Sequence, residues 1–139
     1  MYPSTKIKIQ NQLKFDEGVK NKPYKDSLGI LTIGVGRNLE SNGLSNDEIE
    51  LMLSNDINRC EKDLRLYFAW YDQKKENVQM VLINMCFNLG ISKLLQFKKT
   101  LELIQFDKFN EAAEEVLKSK WAEQVGDRAK RLSKLLKNE

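Results

Sequence analysis

The segment EGVKNKPYKDSLGILTIGVGR, Glu17 to Arg37, is the most glycine-dense stretch of the 139-residue chain, and it interrupts a sequence that otherwise reads as helix. Gly18 supplies the left-handed position that ends a helix, and Pro23 confirms the break. DSLG is a turn, and Leu31, Ile33 and Val35 alternate beyond it, which together predict a β-hairpin. Gly34 and Gly36 break up what would otherwise be an aggregation-prone edge. Any fold for this chain must therefore set a tight hairpin among helices, which is an α+β class.

The flanking patterns predict those helices. Ser4 is placed to cap a first helix with Ile9 and Leu13 on one face. Ser45 and Glu48 form a capping box for a long helix from Asn46 to about Leu66, roughly 30 Å at helical rise. Its stripe is Ile49, Met52, Leu53, Ile57, Cys60 and Leu64. VQMVLINMCFNLG is apolar nearly all round and ends at Gly90, as a central buried helix would. KLLQFKKTLELIQF, DKFNEAAEEVLKSKW and GDRAKRLSKLLK follow as amphipathic helices, the last capped by Asp127. The plan is one domain, 1–139, with a small N-terminal lobe, a long connecting helix and a helical C-terminal lobe. The expected lobes are approximately 14–58 and 1–13 plus 59–139.

Composition narrows the chemistry. Charged residues make up 31% and hydrophobic residues 41%, and no apolar run approaches a membrane span. MYPSTKIKIQNQLKF lacks the apolar core of a signal peptide, so synthesis in a cytoplasm without membrane insertion is expected. Cys60 and Cys86 are far apart, outside any zinc or redox motif, and read as buried free thiols. There is no histidine. That excludes Ser-His and Cys-His nucleophile pairs and a His-ligated zinc hydrolase, and no metal or cofactor is expected. Proton transfers near neutral pH then fall first to Asp and Glu, and carboxylate chemistry points first to glycoside hydrolysis.

Glu17, Asp26 and Thr32 are the residues placed to do it. At the last turn of a helix, Glu17 meets the negative end of the dipole, which should raise its pKa and suit a general acid. Asp26, at the hairpin turn, is expected to stay ionised, and the Thr32 hydroxyl can hold a water. Such a pair of carboxyl groups with divergent surroundings fits acid-assisted glycoside cleavage. Each residue type is also commonplace at its position, so spacing alone leaves both readings open.

The motifs DEG, YKD and TIGVG, in that order, resemble the lysozymes of tailed bacteriophages, the T-even type in particular. The likeness continues through INMCFNLG and SKWAEQVGDRAKR and covers nearly the whole chain, which is shorter after the hairpin and at the C-terminus. The resemblance implies a lysozyme-like fold and cleavage of the bond between N-acetylmuramic acid and N-acetylglucosamine in peptidoglycan. It further implies a cleft between lobes and an endolysin role, with a monomer released to the wall by a separate membrane-permeabilising protein. Residue by residue it makes Glu17 the proton donor, Asp26 the second catalytic carboxylate and Thr32 the third catalytic residue. Inversion of the product is favoured, although the outcome depends on the carboxyl separation.

 The resemblance also aligns Phe87, Thr100, Asn38 and Glu115 with the substrate groove, with a changed residue type at Asn38 and Glu115. Phe87 reads equally as a core phenylalanine. Arg128 matches an arginine near the catalytic glutamate, where a cation would oppose the pKa rise expected from the helix end. Trp121 and Gln124 brace the helical lobe. After TIGVG the T-even type has a histidine paired with an aspartate of the long helix. Here Arg37 and Asp56 hold those positions, and an Arg37–Asp56 bridge without titration near neutral pH is expected.

The region 118–137 holds seven cations against Glu123 and Asp127. A solvated helix face is the default reading, and attraction to an anionic wall is the functional one. Three rival functions remain open at this point: a peptidoglycan-binding module without catalysis, a nucleic-acid-binding helical protein, and a lytic transglycosylase. No nucleic-acid recognition motif accompanies the charge. A transglycosylase would leave Asp26 and Thr32 without a task.

Overall fold

The computed structural model describes residues 1–139. Its elements, in chain order, are α1 (Pro3–Glu17), β1 (Lys20–Lys25), β2 (Leu31–Gly34), β3 (Arg37–Asn38), α2 (Asn46–Tyr67), α3 (Glu76–Leu89), α4 (Ile91–Leu94), α5 (Lys98–Gln105), α6 (Phe109–Leu117), α7 (Lys120–Val125) and α8 (Asp127–Lys137). This is the α+β class expected. Two compact units divide the chain, Met1–Leu51 and Met52–Glu139. Residues 1–13 thus fall in the first unit, and α2 runs through the boundary as one helix.

In the first unit, α1 starts one residue before the expected cap. Tyr2 is the N-cap and Pro3 takes the first turn, where its missing N–H costs nothing, so Ser4 is not the cap. Gly18 ends the helix at φ 77°, as expected. The strands form an antiparallel sheet in the order β1-β2-β3. Between the Lys20–Gly34 and Tyr24–Thr32 pairs the register shifts, where Pro23 has no N–H for the ladder. The short β3 was not anticipated. Nor was the phase of burial: Leu31 and Val35 are exposed, and Thr32 is the one buried residue of the unit. A threonine can occupy that place because its hydroxyl donates to the Ile30 carbonyl at 2.8 Å.

The Ser45 capping box forms as expected. The Ser45 N–H donates to Glu48 Oε1 at 2.8 Å, and the Glu48 N–H donates to Ser45 Oγ at 3.2 Å. Of the α2 stripe only Leu64 is fully buried; Ile49, Met52, Leu53 and Ile57 are exposed.

The second unit holds the apolar core. Val78, Val81, Leu82, Met85 and Cys86 make α3 its centre, and Gly90 closes that helix at φ 80°. Further along, α6 packs against α5 and α8, and the Ser133 hydroxyl of α8 donates to the Ala113 carbonyl at 3.0 Å. The expected second amphipathic segment, DKFNEAAEEVLKSKW, is split: α6 stops at Leu117, and Ser119 caps α7 by accepting from the Ala122 N–H at 3.1 Å. Asp127 lies in the first turn of α8 but makes no cap, since Gly126 holds the N-cap position.

Lys74 closes the loop side of this unit. Its ammonium donates to the Gln105 carbonyl at 2.8 Å and to Asp107 Oδ1 at 2.7 Å, and lies 5.3 Å from the Trp70 ring centroid. Lys74→Met should lower the unfolding free energy by about 2 kcal/mol, through the lost charged hydrogen bonds. Asp107→Asn, at an exposed carboxylate, should cost less than about 1 kcal/mol. Denaturant titration of both variants checks the ranking.

Candidate active site

Asp26, Thr32 and Glu17 all belong to the first unit, and its local geometry organises each of them. Asp26 stands at the turn between β1 and β2. Its Oδ1 accepts the Leu28 N–H at 2.8 Å and the Ile30 N–H at 2.9 Å, while its own N–H donates to the Ile30 carbonyl at 2.9 Å. That same carbonyl accepts the Thr32 hydroxyl. The backbone N–H and C=O of one residue, Ile30, therefore orient the carboxylate and the hydroxyl. With its proton committed to Ile30, the Thr32 oxygen keeps lone pairs with which to accept a hydrogen bond.

Glu17 is the last residue of α1. Its carboxylate lies over Gly36, at the turn between β2 and β3: a Cβ added to Gly36 would stand 2.7 Å from Glu17 Oε2 and 3.0 Å from Cδ. Gly36 is at φ 64° and Gly34 at φ 70°, so both need glycine for the turn itself, but only Gly36 abuts Glu17. The contact with Gly36 was missed from sequence, although the glycine run beside an acid was its signal. Asn38 pairs with Thr32 across the sheet, and its Oδ1 accepts the Ser41 N–H at 2.9 Å.

Arg37, expected to pair with Asp56, pairs instead with Glu48; Asp56 takes Arg59 at 3.3 Å. Glu48 is on the first turn of α2, presented by the Ser45 capping box, whereas Asp56 lies two turns further along that helix. The Arg37 guanidinium and the Ser45 N–H hold the Glu48 carboxyl down at about 2, against an ordinary value of 4.5. Because the folded-state value is depressed, the stabilisation is complete above pH 4.5 and is lost as the pH falls towards 2. Glu48→Gln, which retains the capping box, should be less stable than the parent at neutral pH and converge with it in acid. The difference should stay flat from roughly pH 6 to 8, where a histidine bridge would titrate. Denaturation of both proteins across that range measures it.

In the second unit, Thr100 and Glu115 come together in a cavity of about 350 Å³ that Phe97, Lys99 and Lys118 also line. Thr100 is buried, and Glu115 pairs with Lys99 at 3.6 Å and Lys118 at 3.8 Å. Phe87 does not join them. It is 44% exposed, so it is no core phenylalanine, and it shares a separate cavity of about 480 Å³ with Ile83, Asn84 and Arg128. Arg128 Nε donates to Asn84 Oδ1 at 2.7 Å, and Nη2 to the Asn84 carbonyl at 3.3 Å. Asn84 was missed from sequence; a polar residue within the apolar INMCF run was the available signal. Trp121 is buried and donates from Nε1 to Asn88 Oδ1 at 2.8 Å, the bracing role expected of it, while Gln124 is exposed.

The sequence profile of the family described as phage lysozyme matches residues 14–138. The chain belongs to the phage lysozyme family. Probable T4-type lysozyme 2 of Dictyostelium discoideum is 31% identical over 153 aligned positions, which cover 89% of this chain and 90% of that relative. Probable T4-type lysozyme 1 of the same organism is 29% identical with the same coverage. The chain is a glycoside hydrolase of the lysozyme type, and its substrate class is peptidoglycan.

Proposed function

We propose that this lysozyme hydrolyses the β-1,4 bond between N-acetylmuramic acid and N-acetylglucosamine, with Glu17 as proton donor and Asp26 and Thr32 as its partners. The observation that carries this reading is the Ile30 backbone, whose N–H holds the Asp26 carboxylate and whose C=O holds the Thr32 hydroxyl. Glu17 gives its proton to the glycosidic oxygen as the bond breaks. Asp26 faces the positive charge that develops on the sugar, and Thr32 accepts a hydrogen bond from the attacking water. Asn38, beside Thr32, and the Thr100–Glu115 pair and Phe87 in the second unit are the sugar-contacting residues. Arg128, held by Asn84, and Arg37, held by Glu48, support the fold of their own units.

In this reading the protein is a monomeric endolysin, made in the host cytoplasm and released to the wall by a separate membrane-permeabilising protein. Product analysis tests the reaction. Digestion of purified peptidoglycan should yield fragments ending in reducing N-acetylmuramic acid. Reducing N-acetylglucosamine ends, or anhydro ends of the kind a lytic transglycosylase makes, would reject it.

A further inference from the structure

The two thiols were expected to be buried, and Cys86 is. Cys60 is only partly covered. It comes from α2, Cys86 comes from α3, and both line one cavity of about 290 Å³ with Asp56, Arg59 and Asp63. Cys60 packs against the core cluster to which Cys86 belongs. We propose that Cys60 and Cys86 form a redox-reactive pair that a hydroperoxide closes into a disulfide, stapling α2 to α3 within the second unit.

The two residues face one cavity from neighbouring helices, with Cys60 packed on the cluster that holds Cys86. Burial, and then the neighbouring Cys60, push the Cys86 thiol up to about 12, which makes Cys86 the poorer first nucleophile. Cys60, on the accessible side, therefore reacts first. Its thiolate attacks an oxygen of the hydroperoxide; an S–O bond forms, the O–O bond breaks, and the departing alkoxide takes a proton from water. Cys60 is then a sulfenic acid, oxidised by two electrons. The Cys86 sulfur displaces hydroxide from it, the S–S bond forms, and the Cys86 proton leaves with the hydroxide as water. In sum, two thiols and one hydroperoxide give one disulfide, one alcohol and one water, and for hydrogen peroxide the alcohol is a second water. Nothing in this sequence touches Glu17, Asp26 or Thr32, so it stands apart from the hydrolytic reading.

Treatment of the intact protein with hydrogen peroxide, followed by peptide mapping without reductant, tests the pair. One cross-linked peptide joining Cys60 to Cys86 is expected, with Tm raised by roughly 10 °C and restored by dithiothreitol. Cys60→Ser, at a partly exposed position, should fold normally and show neither change. Two thiols still titratable after treatment, Cys60 arrested as a sulfinic acid, a cross-link between separate chains, or an unchanged Tm would each overturn the proposal. Mapping of the unsubstituted protein decides the matter even if a Cys86 variant fails to fold.

Discussion

Glu17→Gln should lower kcat on peptidoglycan by roughly 10²–10⁴-fold, the usual worth of a positioned general acid. Its effect on folding should be small. Glu17 is an exposed residue at the end of α1, and its side chain rests on the backbone of Gly36. Glutamine has the same shape and fits the same place, so the substitution removes the transferable proton and little else. Turbidity loss of purified walls gives the rate, and thermal unfolding supplies the control. A variant that clears walls at the parent rate, with an unchanged Tm, would take Glu17 out of the chemistry.

Gly36→Ala should be nearly as damaging, for a different reason. The new methyl group would stand 2.7 Å from Glu17 Oε2, 3.0 Å from Cδ and 3.2 Å from Cγ. A carboxylate at the end of a flexible side chain can swing away, so the collision itself costs little stability. The displacement is what matters, because a shift of about 1 Å in a catalytic group can cost 10²-fold in rate. Alanine at φ 64° adds backbone strain of about 1–2 kcal/mol. Gly34→Ala isolates that contribution: Gly34 is at φ 70°, and nothing lies within 4 Å of its added Cβ. Both variants should lose similar stability, and only Gly36→Ala should lose about 10² in kcat. Equal activity losses would mean that the turn, and not the placement of Glu17, is what Gly36 protects.

The elements legible in the sequence were those with a local cause. The Ser45–Glu48 box, the Gly18 and Gly90 helix ends and the apolar run of α3 each announce themselves within a few residues, and all appear in the structure. The misreadings have contacts as their cause. Leu31 and Val35 satisfy strand alternation, yet Thr32 is buried because a neighbouring carbonyl satisfies its hydroxyl. Arg37 took Glu48 in place of Asp56 because the cap had already presented that carboxylate. The break before α7 depends on Ser119, whose capping value shows only once α6 has ended at Leu117. At the site, Glu17, Asp26 and Thr32 were named from resemblance. The roles of Ile30 and Gly36 were invisible to it, because both act through backbone atoms that no side-chain motif records.

The Ile30 backbone bears on how such an enzyme can be re-engineered. Its N–H fixes one group and its C=O fixes another, on the two peptide planes that flank its Cα, so a change in the φ or ψ of Ile30 would move Asp26 and Thr32 relative to each other. A directed-evolution campaign that reshapes this turn to retune one of them would disturb the other in the same step, and productive variants should carry compensating changes at both positions.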